Sequence, residues 1–209
     1  MPAKSSPATD SGRRSTRWYA SVPYGLFLLA LIVGTILTIP GIYVSFHLAS
    51  VGLGKTSVVG LLMMMNSMVA AGTSALFGKV WRRSPRLVFC IGFATMGTGL
   101  VLLAYATGYL VAIPALLLMG GGMGLLAPSV IARVVDMVEE GRRGKVVGAV
   151  QSTLSVAPLL VLTGLEPLLP RIGTRGVMLI VGMLALVSFA RYAVGRGRDV
   201  PKPVPSSPA

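Results

Sequence analysis

The sequence predicts an all-α polytopic membrane protein with six transmembrane helices, and three observations carry that reading. First, only 12% of the 209 residues are charged against 54% hydrophobic, with a mean hydropathy of +0.78. A water-soluble chain normally carries roughly 25% charged residues to clothe its surface. Second, the apolar residues fall into six runs, each close to the roughly 20 residues a helix needs to cross about 30 Å of hydrocarbon. Third, the net charge of +13 is gathered at the ends of those runs. That placement is a topological signal, so the lipid bilayer is the expected partner and nucleic acid is not. The single cysteine, Cys90, lies inside an apolar run and is expected to be a free thiol, which excludes an intramolecular disulfide.

Residues 1–21 are rich in Ser, Pro, Ala and Thr with scattered Lys and Arg, the composition of a disordered basic leader. The six-helix domain is expected over residues 22–195. Its first span, about 22–48, is far longer than the apolar core of a signal peptide and is read as retained. Pro40-Gly41 predicts a bend near its middle, and His47 lies near its far end. A short loop, residues 49–55, leads to the second span, about 57–78. Its Met63, Met64, Met65 and Met68 form either an adaptable apolar surface or ordinary packing and lipid contact.

Residues 78–86 (Gly-Lys-Val-Trp-Arg-Arg-Ser-Pro-Arg) hold four cations and are expected to form a turn. The third span follows at about 87–106 and the fourth at about 109–137. The fourth contains Gly120-Gly121-Gly122-Met123-Gly124, and glycines four apart let helix backbones approach closely in a membrane. Arg133 and Asp136 share a face at its end, before a charged loop at 139–145. The fifth span, about 146–169, carries Gln151, Ser152, Thr153, Ser155, Pro158 and Glu166. A turn at 170–175 precedes the sixth span, about 176–194, and residues 196–209 form a basic, proline-rich tail expected to be disordered.

Six spans put both termini on one side. Of the 19 Lys and Arg, only Lys55, Arg171 and Arg175 fall on the other side, so the termini and the loop around Arg82 are expected to be cytoplasmic. Arg82 and Arg86 before the third span are echoed by Arg171 and Arg175 before the sixth, with Gly92 and Gly182 following at nearly equal distances. These turns lie on opposite sides of the membrane, as a three-plus-three inverted repeat requires.

No catalytic constellation accompanies His47, the only histidine, and no metal-ligand spacing is present, so neither enzyme activity nor a cofactor is expected. The polar groups that are costly in lipid are the substrate or proton candidates: His47, Asn66, Gln151, Ser155 and Glu166. Gln151 and Ser155, four apart, share one helical face, which serves a cavity or an interhelical bond equally well. Glu166 is the acid in the outer half of a span and therefore the candidate proton carrier.

With these residues in place, the chain resembles the major facilitator superfamily (MFS), in particular its C-terminal six-helix half, over about residues 24–194. Gly78, Val80, Arg83 and Arg86 match the family's signature between the second and third helices of a half. Arg82 stands where the signature has Asp and Pro85 where it has a second Gly, which suits the looser copy of the C-terminal half. The glycine-rich fourth span ending in Pro128, then Arg143-Gly144 and Gly148, are similar to the family's tenth and eleventh helices.

The resemblance implies transport of a small molecule as part of a secondary active transporter, such as drug or metabolite efflux, in the plasma membrane. Gly78, Arg82, Arg83, Arg86, Asp136 and Arg143 then belong to the gating loops. It also implies a second six-helix half, present as a separate chain, as a missing N-terminal half or as a second copy. The alternative is a non-transporting six-helix scaffold or assembly protein. A polar concave face on the first, second, fourth and fifth spans would favour transport, and a wholly apolar one the scaffold.

Overall fold

The computed structural model describes residues 24–165, 167 and 169–194. The expected leader and tail, and Glu166, lie outside the described residues. Hydrocarbon offers no partner to backbone N–H and C=O groups, so each apolar run must satisfy them within itself, as a helix. Among the described residues six α-helices result: α1 (Tyr24–Ser50), α2 (Thr56–Arg83), α3 (Pro85–Ala104), α4 (Tyr109–Met137), α5 (Arg143–Leu165) and α6 (Leu169–Val194). All six are long and apolar enough to cross a membrane.

The bounds of α4 are those expected, but two expected turns are largely helical. Residues 78–83 continue α2, and the cationic turn shrinks to Ser84. Its N–H bonds the Val80 carbonyl at 3.0 Å, closing α2, while its hydroxyl accepts from the Leu87 N–H at 3.3 Å, opening α3. Pro85 follows at the first helical position, where a missing N–H costs nothing. Residues 170–175 likewise lie within α6, broken at Gly173 by a backbone (φ 64°, ψ 175°) that only glycine adopts without strain. Pro40 lies inside α1, which continues through it as one helix.

Short turns make consecutive helices antiparallel. α3 is the most buried helix and α2 the least, with α5 next. α4 packs along one side of α3 and α6 along the other; α2 packs on the far side of α4, and α1 pairs mainly with α5. Exchanging α1–α3 for α4–α6 maps α1 on α5 to α4 on α2 and leaves the α3–α6 contact in place. Three helices per repeat means the copies run in opposite senses, so this is the inverted repeat. The symmetry is uneven, because α3 and α4 share far more contact than their counterparts α6 and α1.

Lipid tails are as apolar as leucine, so these contacts form by close fit more than by expulsion of water. A Cβ at Gly99 would lie 2.6 Å from Met119 Cγ, and one at Gly122 would lie 2.7 Å from Met96 Cβ, so α3 and α4 meet through missing side chains. Gly120 and Gly124 serve the other face of α4. A Cβ at Gly120 would strike the Asn66 carbonyl, and one at Gly124 would strike Thr73 Oγ1 and the Ala70 carbonyl. Ser74 Oγ donates to the Gly124 carbonyl at 2.8 Å across the same seam. Gly97 and Gly182 cross where α3 meets α6, and Gly34 meets Ala157 where α1 meets α5.

The sequence echo has a structural counterpart, though not through its glycines. Gly92 meets Leu126 on α4, whereas Gly182 meets Leu100 and Val101 on α3. The arginines correspond. Arg86, in the first turn of α3, donates Nε–H to the Tyr192 carbonyl at 2.7 Å and a terminal N–H to the Ala193 carbonyl, at the end of α6. Arg175, early in α6, lies 4.4 Å over the ring of Tyr105, the residue that caps the end of α3. Each of two antiparallel helices thus places an arginine at the C-terminus of the other, where carbonyls are orphaned and the dipole is negative. Rings reinforce the Arg86 end. Tyr192 stacks on Phe89 (5.1 Å) and Phe93 (5.8 Å), and Trp81 meets Phe89 edge-on at 6.0 Å, tying α2, α3 and α6 together.

Two outcomes follow from this packing. Gly124→Leu should destabilise the bundle by about 2 kcal/mol or more through overpacking. Its thermal midpoint in detergent should fall by several degrees, whereas Gly148→Ala, inside α5 with no neighbour within 4 Å, should leave it as high or raise it. Arg86→Gln should cost on the order of 1 kcal/mol, read by hydrogen exchange as faster exchange confined to the α3 and α6 ends that meet there.

Candidate functional site

The residues whose polarity singles them out do not converge on one point. His47 is 3% exposed, and among the described residues neither ring nitrogen has a hydrogen-bond partner. Its surroundings are the Leu103 carbonyl at the end of α3 and the Arg175 guanidinium on α6, away from the open sides of α2 and α5. Asn66 is buried at mid-α2, its backbone carbonyl pressed on Gly120 and its Oδ1 enclosed without a partner. It therefore sits in the α2–α4 seam and helps set the distance between those helices.

Gln151 and Ser155 lie elsewhere, on the exposed side of α5. Ser155 Oγ donates to the Gln151 carbonyl at 3.0 Å, and Ser152 Oγ to the Gly148 carbonyl at 2.9 Å. Spending each hydroxyl proton on the preceding turn leaves these oxygens as acceptors toward the outside. The Gln151 amide adds both a donor and an acceptor on the same open side. Gly144 and Gly148 continue that side with no neighbouring atom within 4 Å of a Cβ position. α2 shows the same character, with Gly60, Ser67, Gly72 and Gly78 exposed along its length. Met64 and Met68 are exposed there too, while Met63 and Met65 are half-buried.

The cations and the acid assigned to gating loops divide into two groups. Arg86 and Arg143 are bound to backbone, Arg86 at the end of α6 and Arg143 through Nε–H to the Val138 carbonyl at 3.0 Å, which closes α4. Gly78, Arg82, Arg83 and Asp136 are exposed at the same end of the bundle. Sequence reasoning missed the capping role of Arg86, the ring stack of Tyr192 and the Arg175–Tyr105 contact. The repeated arginine spacing was the available signal, since equal spacing before α3 and α6 implies equal placement against an antiparallel partner.

Such groups can hydrogen-bond a solute or a neighbouring helix. Among the described residues no three His, Cys, Asp or Glu side chains stand close enough to hold a metal ion. No individually curated protein matches the chain. The family model of the Major Facilitator Superfamily matches residues 26–209, and so takes in all but the first two residues of the six-helix bundle. By that match, and by six spanning helices related as an inverted repeat of three, the chain belongs to the Major Facilitator Superfamily of membrane transporters.

Proposed function

We propose that the chain moves a small molecule across the plasma membrane as one half of a secondary active transporter, with drug or metabolite efflux as its class of work. One observation carries this reading: among exposed Leu, Met and Val, α2 also exposes Gly60, Ser67, Gly72 and Gly78, and α5 exposes Gly144, Gly148, Gln151, Ser152 and Ser155. A side-chain amide facing hydrocarbon costs several kcal/mol, and glycine gives a lipid-facing helix nothing to pack with. Both residue types make sense against a second helical half or a watered cleft. A wholly apolar outer face, which the scaffold reading requires, is not what α5 presents.

In this reading a second six-helix half docks on α2 and α5, and the two halves rock about the substrate. Gly78, Arg82, Arg83 and Asp136 face that half at the cationic end, while Arg86 and Arg143 keep the helix ends rigid. Gln151 and Ser155 border the path, and Glu166 carries the coupling proton. His47 and Asn66 hold the bundle together from within. The cationic end, with both chain termini, faces the cytoplasm because Lys and Arg are retained there.

Orientation is tested in a Cys90→Ala background. Arg83→Cys should react with an impermeant thiol reagent only in inside-out vesicles, and Lys55→Cys only in right-side-out ones. Labelling of both from one side overturns the topology. Transport is tested in vesicles holding the chain with whatever half it requires, following ethidium accumulation driven by an imposed pH gradient. The assembly should have the detergent-free mass of two halves. Glu166→Gln should keep passive exchange and lose concentrative uptake, and Gln151→Leu should slow both at unchanged stability. A monomeric mass with no ethidium movement would favour the scaffold.

A further inference from the structure

We propose that the cleft between α1, α5 and α6, at the end of the bundle opposite Arg86, holds an acyl chain of an anionic glycerophospholipid whose phosphate pairs with Arg171. The cleft has a volume of about 400 Å³ and is lined by Ile42, Tyr43, Phe46, Leu162, Leu169 and Thr174. It exists because α5 and α6, each packed on α1 or α3, hardly touch one another among the described residues. It lies on the weaker side of the repeat, where α6 meets α1 far less closely than α3 meets α4.

The walls identify the occupant. Four of the six lining residues, Ile42, Phe46, Leu162 and Leu169, are pure hydrocarbon, and Tyr43 and Thr174 each bring one hydroxyl. Two hydroxyls on walls that are otherwise hydrocarbon give water few partners, and the medium outside is hydrocarbon. The cleft runs along the helices, from Leu169 at the start of α6 to Ile42, eight residues short of the end of α1. At 1.5 Å per residue that reach is about 12 Å, directed from the helix ends toward the bilayer interior. A chain lying beside the helices fits this direction, with its headgroup at the level of the first turn of α6.

A cation stands at that level. Leu169 and Thr174 both line the cleft, so the backbone between them forms its rim, and this segment carries Arg171, whose side chain is exposed. The break at Gly173 (φ 64°, ψ 175°) separates the first turn of α6, with Arg171, from the rest of the helix, which holds Arg175. Arg175 is engaged with the Tyr105 ring, whereas Arg171 is exposed and can meet a phosphate by paired, charge-assisted hydrogen bonds. A zwitterionic lipid also carries a phosphate, but its own ammonium or choline offsets that charge, so Arg171 favours an anionic lipid through net charge. This assignment is independent of whether the chain transports.

The test uses the full chain in nanodiscs of phosphatidylcholine doped with phosphatidylglycerol that bears a diazirine in mid-chain. After illumination and digestion, cross-links should concentrate on peptides carrying residues 42–46, 162 and 169–174. The same probe on phosphatidylcholine should label those peptides no more than other lipid-facing surface. Arg171→Gln should lower labelling by the glycerol probe about fivefold, the worth of one cation at a lipid surface. Even labelling over all exposed helix faces, equal labelling by both headgroups, or indifference to Arg171→Gln overturns the proposal. Exclusion of the probe from these peptides also overturns it, because a protein neighbour would then fill the cleft.

Discussion

The bundle depends on how near the backbones of α3 and α4 can come. In water, burying leucine would be driving force enough; in a bilayer the same side chain is equally content facing lipid. What remains is dispersion between well-fitted surfaces, which falls away within a fraction of an ångström of excess separation. Glycine removes that excess. α4 places Gly122 toward Met96 and Gly92 of α3, and Gly120 and Gly124 toward Asn66, Ala70 and Thr73 of α2. One helix thus binds two neighbours by the same means on opposite faces. The Ser74 hydroxyl on the Gly124 carbonyl then fixes the register of the second contact.

Packing of this kind sets distance but holds helix ends poorly, since the last carbonyls of each helix have no partner within it. Here arginines at both ends of the bundle do a second task. Arg86 closes the end of α6, Arg143 closes α4, and Arg175 lies against the cap of α3. A long side chain makes this possible, because its stem can lie along apolar surface while its head stays at the polar boundary. A cation at the membrane surface can close a helix end at either side of the bundle, as Arg86 and Arg143 do at one end and Arg175 at the other.

This double use also explains what the sequence could and could not disclose. The number of spans, and the bounds of α4, follow from runs of apolar residues, which hydrocarbon selects strongly. Residues 78–83 looked like a turn because they are charged, yet they are helical; charge marks the interface with water and not the end of a helix. Residues 170–175 misled for the same reason, and only Gly173 inside them leaves helical geometry. The packing role of Gly120 and Gly124 was legible from spacing alone. The identity of what each glycine meets was not, as the contrast between Gly92 and Gly182 illustrates. Among site candidates, exposure separated Gln151 and Ser155 from Asn66 and His47, and no pattern in the sequence tells which side of a nearly uniform apolar helix faces inward.

The uneven repeat gives the bundle a firm part and a looser one. α2, α3, α4 and α6 are bound by glycine seams and by the rings and cap around Arg86, whereas α1 and α5 form a pair that meets the rest less extensively. On α2 and α5 alike, small residues occur on both sides of the helix or its contact. The inward ones are consumed: Ala70 and Thr73 against Gly124, and Ala157 against Gly34. The outward ones, Gly60 and Gly72 on α2 and Gly144 and Gly148 on α5, have no neighbour. Each interior glycine lowers helix stability by about 1 kcal/mol relative to alanine, a cost that close contact repays at the inner seams. Outward glycines, which α1 also has in Gly25 and Gly41, meet no neighbour among the described residues; on α2 and α5, two helices related by the repeat, the docking proposed above would repay their cost.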